Sequence, residues 1–449
     1  MKNKLLLFLL IAAAACTAFA QNTKKKVKPV PNTTVATHIT MNKNKGDFKR
    51  GEEVIFTIKM TENKKPVKGL FFKYNLVQNG KTVKSEIISG DTPFTLKTTM
   101  NVPGLLFLEA LAMDKNKKLL PRAHSFHNRN KNAGVGVLFD MENIKASAPV
   151  PADFDTFWKK AKAEVDKIPM KPVLKELPLQ GMEKRMGMKL YDVQIPCVNN
   201  VPVSAYLFMP GNAPAKSLPA IVSFHGAGVA SAKKLTTYGY NALVFDVNAH
   251  GIENGKTAAY YWKQWYTTYG NYQYRNSHDK DKYYYKAMYQ RVIRALQYIK
   301  TRPEWDGKNL IVTGISQGAA QALVAAALDK DVTLCVTAVT AMADHHAADV
   351  GRIPGWPRLI KGNAAQKKKI AATAAYYDGN SFASRIQCET YLVAGGVDTT
   401  TSPTGVVTVY NSLPAKTKKH FRIYPYSGHD ALPWEGNAKI RAIVKAAKK

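Results

Sequence analysis

Residues 309–318 read NLIVTGISQG, an apolar run that breaks into Gly314-Ile315-Ser316-Gln317-Gly318 ahead of the small-residue stretch AAQALVAAALDK. A serine held between two glycines where a strand turns into a helix is a nucleophile elbow: the sharp turn projects Oγ above the sheet edge, where it can attack an acyl carbonyl. The glycines matter because the turn forces the serine backbone into a strained region and brings strand and helix close together. Leu310, Ile311 and Val312 suit a buried parallel strand, and Ala319, Ala320, Ala322, Ala325, Ala326 and Ala327 suit a helix packed on it. The motif alone also fits an ordinary glycine-rich turn, so its partners decide.

With the nucleophile on a central strand, the acid and the base belong on loops after later strands, in the chain order Ser, Asp or Glu, His. Asp398 follows the apolar run ETYLVAGG, in the loop VDTTTSPT. Asp378 and Asp349 are weaker candidates, because each lies away from a strand end. Of ten histidines only His420 and His429 lie beyond Asp398. His420 starts the strand HFRIYPYS, whereas His429, in Ser427-Gly428-His429-Asp430, occupies the loop after it, where a base can reach over the sheet. An oxyanion hole needs two N–H groups aimed at the developing charge. The Gln317 amide follows the nucleophile, and the loop His225-Gly226-Ala227-Gly228 after the run AIVSF offers the Ala227 amide.

Other chemistry-bearing residues read less sharply. His345, His346 and Asp349 suggest a metal, but adjacent histidines point apart and no third ligand stands at a suitable spacing, so neither metal nor cofactor is expected. The two histidines could instead line the pocket. Residues 260–289 hold twelve Tyr or Trp. Their rings could stack on the apolar faces of sugars or pack insertions and subunit contacts, which leaves self-association open. Trp262 and Trp265, with His225, are the expected substrate contacts.

These residues need a scaffold. Beyond residue 150, apolar strands alternate with helices: LYDVQIPCV and VSAYLFMP as an antiparallel pair, then LPAIVSFHG, NALVFDV, the long helix from YYYKAMYQ, the elbow unit, TLCVTAVTA, ETYLVAGG, HFRIYPYS and a terminal helix. That alternation predicts a mostly parallel, doubly wound α/β sheet over residues 150–449. Residues 33–146 instead show short, partly alternating strands with Asn79-Gly80 and Pro103-Gly104 as hairpin turns, which predicts an all-β, immunoglobulin-like sandwich serving as a spacer or packing module. The run Ser147-Ala148-Pro149-Val150-Pro151 marks the boundary.

At its start the chain carries Lys2 and Lys4, an apolar stretch and Ala18-Phe19-Ala20, the pattern of a signal peptide over residues 1–20. It predicts export to the periplasm or beyond, with residues 21–32 a flexible leader; lipid attachment at Cys16 is the weaker alternative. No later segment reaches membrane-spanning length. Cys197, Cys335 and Cys388 are odd in number and widely spaced, so no disulfide framework is expected. The net charge of +33 is spread over both parts of the chain without a nucleic-acid-binding motif. It reads as a solvated basic surface, suited to acidic polysaccharide rather than to nucleic acid.

With these residues placed, the region 150–449 resembles the acetyl xylan esterase / cephalosporin-C deacetylase family, carbohydrate esterase family seven. The likeness rests on DFDTFW (153–158), FHGAG, YYYKAMYQ, GISQG followed by AAALD, YYDGNSFASRI (376–386), GGVDTTTSPT, YNSL (410–413) and the final GHD. It implies an α/β-hydrolase fold with Ser316 as nucleophile, Asp398 as acid, His429 as base, and Ala227 and Gln317 as oxyanion donors. The implied reaction is removal of acetyl groups from acetylated carbohydrate such as xylan or xylo-oligosaccharides. Departures are local. Where the family shows Arg-Gly-Gln, this chain has Asn248-Ala249-His250-Gly251-Ile252, losing an arginine that would brace the loop. The elbow tail is Ala319-Ala320-Gln321 rather than glycine-rich, and the acid loop keeps one proline, Pro403. The residues leave open an esterase or peptidase of other acyl specificity, and a noncatalytic glycan-binding protein.

Overall fold

The computed structural model describes residues 35–120 and 132–447. The signal segment, Cys16 and the leader lie outside the described residues. The first part contains β1 (Val35–Met41), β2 (Asp47–Phe48), β3 (Val54–Glu62), β4 (Lys65–Pro66), β5 (Phe71–Gln78), β6 (Lys81–Ser89), β7 (Phe94–Thr98), β8 (Gly104–Met113) and β9 (Asn132–Phe139). One sheet runs β1-β3-β4 with β7 also on β3, and the other runs β2-β9-β8-β5-β6. Alternation builds the layer between them: Val54, Phe56 and Ile58 of β3 face Phe72, Tyr74, Leu106 and Leu108 in one buried cluster. Asn79 and Gly80, both at positive φ, close the β5–β6 hairpin as expected. Pro103-Gly104 does not close a hairpin. The strands on either side of it, β7 and β8, lie in different sheets, so the turn carries the chain across the sandwich.

The second part adds β10 (Val173–Leu177), β11 (Met188–Ile195), β12 (Val203–Pro210), β13 (Leu218–Phe224), β14 (Leu243–Val247), β15 (Trp305–Ile315), β16 (Leu334–Ala338), β17 (Glu389–Gly395) and β18 (Lys419–Tyr424). They form one nine-stranded sheet in the order β10-β11-β12-β14-β13-β15-β16-β17-β18. Pairing is antiparallel as far as β12–β14 and parallel from β14 to β18. The parallel strands β13, β14 and β16 are buried along their whole length, the signature of a sheet covered on both faces. One face carries the helices Phe154–Asp166, Tyr284–Lys300 and Gln317–Leu328, and the other the helix Trp434–Ala446, whose Ile440 and Val444 pack on Ile221, Ile311 and Val336. The chain winds from β13 to β14 on one side and returns to β15 on the other, so a crevice opens outside the carboxyl ends of β13 and β15.

The two parts share a core. Leu105 of β8 and Leu138 of β9 are buried in the cluster that holds the helices of the nine-stranded sheet. The connecting segment is fastened too: Ser147 donates its amide to Asp344, and Arg352 reaches Asp344, the Lys145 carbonyl and Ser147 Oγ.

Candidate active site

Ser316 takes φ 60°, ψ −122° at the junction of β15 with the helix Gln317–Leu328, a conformation that persists only where the surroundings impose it. The surroundings here are backbone. A Cβ on Gly314 would lie 2.2 Å from the Gly318 carbonyl, and one on Gly318 would lie 2.1 Å from the Phe224 carbonyl oxygen. Both flanking glycines are therefore required by close approach. The serine is further held by its amide on the Ala338 carbonyl and its carbonyl under the Ala341 amide.

Asp398 and His429 meet across the ends of β17 and β18, with His429 Nδ1 2.8 Å from Asp398 Oδ2. The carboxylate can only accept, so Nδ1 carries the hydrogen and Nε2 keeps its lone pair. Asp398 is buried and accepts three further hydrogen bonds, from the Thr400 and Thr401 amides and Thr401 Oγ1. A buried carboxylate so saturated holds one orientation. Asp378 is occupied otherwise, accepting the amides of Asp344, His345 and Asn380, and Asp349 pairs with His346 on the surface.

Ser316 and His429 face one cavity of about 450 Å³, walled also by His225, Gly226, Ala227, Trp356 and Thr400. No hydrogen bond joins Ser316 to His429 among the described residues. His225 Nε2 lies 2.7 Å from Asp246 Oδ2, which also accepts the Lys233 amide, so the ring is fixed against the wall. Gln317 is buried and its side chain looks away from the cavity: Oε1 accepts from Tyr272 and Tyr285, and Nε2 reaches the Gly226 carbonyl.

Two expected substrate contacts are not brought here. Trp262 is 61% exposed and stacks on Tyr266, while Trp265 packs partly buried on the main core; neither walls this cavity. They sit on the helix Ala258–Gln264 and the turn Trp265–Tyr269, of which Trp265 and Tyr269 pack against the main core. His345 and His346 are not on the cavity wall either: His345 is buried, and His346 bonds Asp349 and the Ala371 carbonyl. Among the described residues no group of His, Cys, Asp and Glu could hold a metal ion. Cys197, Cys335 and Cys388 are free thiols, the last only half-buried.

One residue was missed by sequence reading. His250, 1% exposed, sits behind the Gly226-Ala227-Gly228 loop with both ring nitrogens engaged, to Tyr284 and to the Gly228 carbonyl. Burial, with Arg291 adding to it, pushes its imidazole down to about 3. The available signal was its place in the loop after β14, where this chain departs from Arg-Gly-Gln.

Comparison with known proteins is consistent with this geometry. The family described as acetyl xylan esterase (AXE1) matches residues 137–445. The acetyl esterase Axe7A of Xylanibacter ruminicola is 31% identical over 307 residues, covering 66% of this chain and 67% of its own. The structure of an acetyl xylan esterase from a Paenibacillus species is 26% identical with a TM-score of 0.57, over 68% of this chain and 97% of its own. That of acetyl xylan esterase 1 from a Thermoanaerobacterium species, 21% identical with a TM-score of 0.56 over the same shares, is alike in fold. With over half its length matched by the family and its mixed α/β sheet shared with these structures, the chain belongs to the acetyl xylan esterase family of carboxylic ester hydrolases.

Proposed function

We propose that this protein is an exported serine esterase that removes acetyl groups from acetylated xylan or xylo-oligosaccharides through an acetyl-serine intermediate. The observation that carries the reading is the strained Ser316 on the cavity that His429 faces, with His429 Nδ1 2.8 Å from the buried Asp398. His429 Nε2 takes the hydroxyl proton as Ser316 Oγ bonds to the ester carbonyl carbon. The Ala227 and Gln317 amides hold the resulting oxyanion, and Asp398 steadies the imidazolium. Collapse breaks the bond to the sugar oxygen, which leaves with the proton from His429. Water then adds to the acetyl-enzyme by the same route, His429 accepting its proton and returning it to Ser316, and acetate departs.

His225 stands on the wall where the sugar would lie. The basic surface favours acidic polysaccharide, and no described helix is long and apolar enough to cross a membrane. Residues 1–20 would direct export, residues 33–146 form an immunoglobulin-like module, and residues 150–449 carry the chemistry.

The test is acetate release by purified protein from acetylated xylan and xylo-oligosaccharides, beside aryl acetate, aryl butyrate and a dipeptide. Acetyl esters should lead, and Ser316→Ala should lower kcat/KM by about 10⁴-fold or more while leaving Tm unchanged. Full aryl acetate hydrolysis by Ser316→Ala would remove the serine mechanism. Faster turnover of the butyrate or the dipeptide would remove the acetyl assignment.

A further inference from the structure

The aromatic segment 260–289 divides into two halves. Trp262 and Tyr266 are exposed, whereas Tyr272 and Tyr285 are buried and Tyr284 lies against His250. The His250 Nε2 is 3.0 Å from the Gly228 carbonyl oxygen, and its Nδ1 is 2.7 Å from the Tyr284 hydroxyl. A carbonyl only accepts, so Nε2 carries the hydrogen and donates; Nδ1 then accepts from Tyr284. Tyr269 and Tyr272 clamp the ring, at 4.7 Å and 4.5 Å between centroids.

The same lattice continues to Gln317, on the same wall as the loop. Tyr272 donates at 2.5 Å and Tyr285 at 2.7 Å to Gln317 Oε1, which leaves Gln317 Nε2 pointing at the Gly226 carbonyl, 3.4 Å away. The Gly226 carbonyl and the Ala227 N–H belong to one planar trans peptide, so holding that oxygen sets the direction of the N–H. The Gly228 carbonyl, held by His250, fixes the chain on the other side of Ala227. Behind the ring lies a cavity of about 720 Å³ on whose wall Arg291 donates from Nη2 to the Ala249 carbonyl, its Nε left without a partner among the described residues, and Lys286 pairs with Glu164. The Arg291 bond braces the loop that carries His250, and the Lys286 pair joins two helices beneath it.

We infer that His250 is a positioning residue for catalysis: with Tyr284, Tyr272 and Tyr285 it ties the Gly226-Ala227-Gly228 loop and Gln317 into one rigid oxyanion hole. The inference rests on the oxyanion reading above. An oxyanion hole works by being preorganised, so loosening one donor loses part of the 10²- to 10³-fold that removing it costs. Burial pushes the imidazole down to about 3, which favours the neutral tautomer that donates to Gly228.

The experiment is steady-state hydrolysis of aryl acetate by His250→Ala, His250→Gln and Tyr284→Phe, each with its Tm and its inhibition by phenylboronic acid, whose tetrahedral adduct places an oxygen in the hole. His250→Ala should lower kcat about 10- to 100-fold with KM within about threefold, and weaken the boronate by the same factor. His250→Gln, whose Nε2 can reach the same carbonyl, should recover to within about fivefold of the parent. Tyr284→Phe keeps the ring, loses the donor to Nδ1, and should lower kcat about threefold. A folded His250→Ala with kcat within twofold of the parent overturns the inference, as does a change confined to KM. If His250→Ala does not fold, Tyr284→Phe decides: unchanged kcat and boronate affinity overturn it. Activity surviving in Ser316→Ala would instead overturn the esterase mechanism itself, so the two failures are distinguishable.

Discussion

The two walls of the Ser316 cavity are supported in different ways. On the side of Asp398 and His429 the support is backbone on backbone: β9 of the sandwich lies against the loops after β17 and β18. The Gly136 amide donates to the Pro425 carbonyl at 2.9 Å, and a Cβ on Gly136 would fall 1.9 Å from the Gly396 carbonyl oxygen. On the side of Ala227 and Gln317 the support is a lattice of side chains, His250, Tyr272, Tyr284 and Tyr285, joined by hydrogen bonds. Main-chain contact leaves nothing to substitute without a clash, while a side-chain lattice can be rebuilt from other residues. The departures noted from the family resemblance fall on both sides, at Asn248-Ala249-His250 on the second and at the single proline of the acid loop, Pro403, on the first, and the family match begins inside β9.

Breaking the main-chain support should have the largest effect. In Gly136→Ala the new methyl meets the Gly396 backbone two residues before Asp398, and no rotamer relieves it. Either β9 lifts from Pro425 or the acid loop shifts. Overpacking of this kind costs about 1–3 kcal/mol, and displacing the carboxylate that orients His429 should lower kcat about tenfold or more with little change in KM. Calorimetry with aryl acetate kinetics measures both. A lower Tm with kcat within twofold of the parent would make the sandwich a passive neighbour and erase the contrast between the walls.

An intermediate effect belongs to the side-chain wall and appears in the pH dependence of stability. His250 is held down to about 3 when folded, against an ordinary 6.5. Above pH 6.5 neither folded nor unfolded chain carries the proton, and the full contribution of the neutral ring is present. Between 6.5 and about 3 the unfolded chain binds a proton that the folded chain refuses. Stability is therefore lost as pH falls, by up to about 1.4 kcal/mol per unit from this residue alone. His250→Gln removes that term, so its urea midpoint should fall more shallowly than the parent's from pH 6.5 to 4. Parallel curves would mean the ring is not shielded as its burial implies.

The candidate triad was legible in the sequence because sheet connectivity limits which loops can converge: a nucleophile after β15 can be met only from loops at neighbouring strand ends, and Asp398 and His429 follow β17 and β18. β9 escaped because Ala133, Gly134 and Gly136 dilute its strand pattern, and the same smallness lets it dock on Gly396. Pro103-Gly104 misled because a local turn signal does not say whether the next strand stays in the same sheet. His250 escaped because a single loop histidine carries no periodicity. The role proposed for it rests on contacts with four residues about 20 to 35 positions away, Gly228, Tyr269, Tyr272 and Tyr284.

The exposed half of the aromatic segment should give the smallest effect, and it sharpens where the side-chain wall ends. Trp262 and Tyr266 stack at 6.0 Å between centroids, 24° from coplanar, and present a flat apolar face to solvent away from the 450 Å³ cavity. Trp262→Ala removes no buried contact, so Tm should move by no more than about 1 °C and aryl acetate turnover should stay within twofold. A sugar stacked on the pair would gain about 0.5–1.5 kcal/mol, so acetate release from acetylated xylan should fall about threefold in the same variant. If polymer and aryl acetate turn over unchanged together, the pair has no part in holding substrate, and an oligomeric-state measurement on the same variant would show whether it packs copies of the chain instead. If both fall together, the lattice behind the oxyanion loop extends out to Trp262, and the segment has no free half.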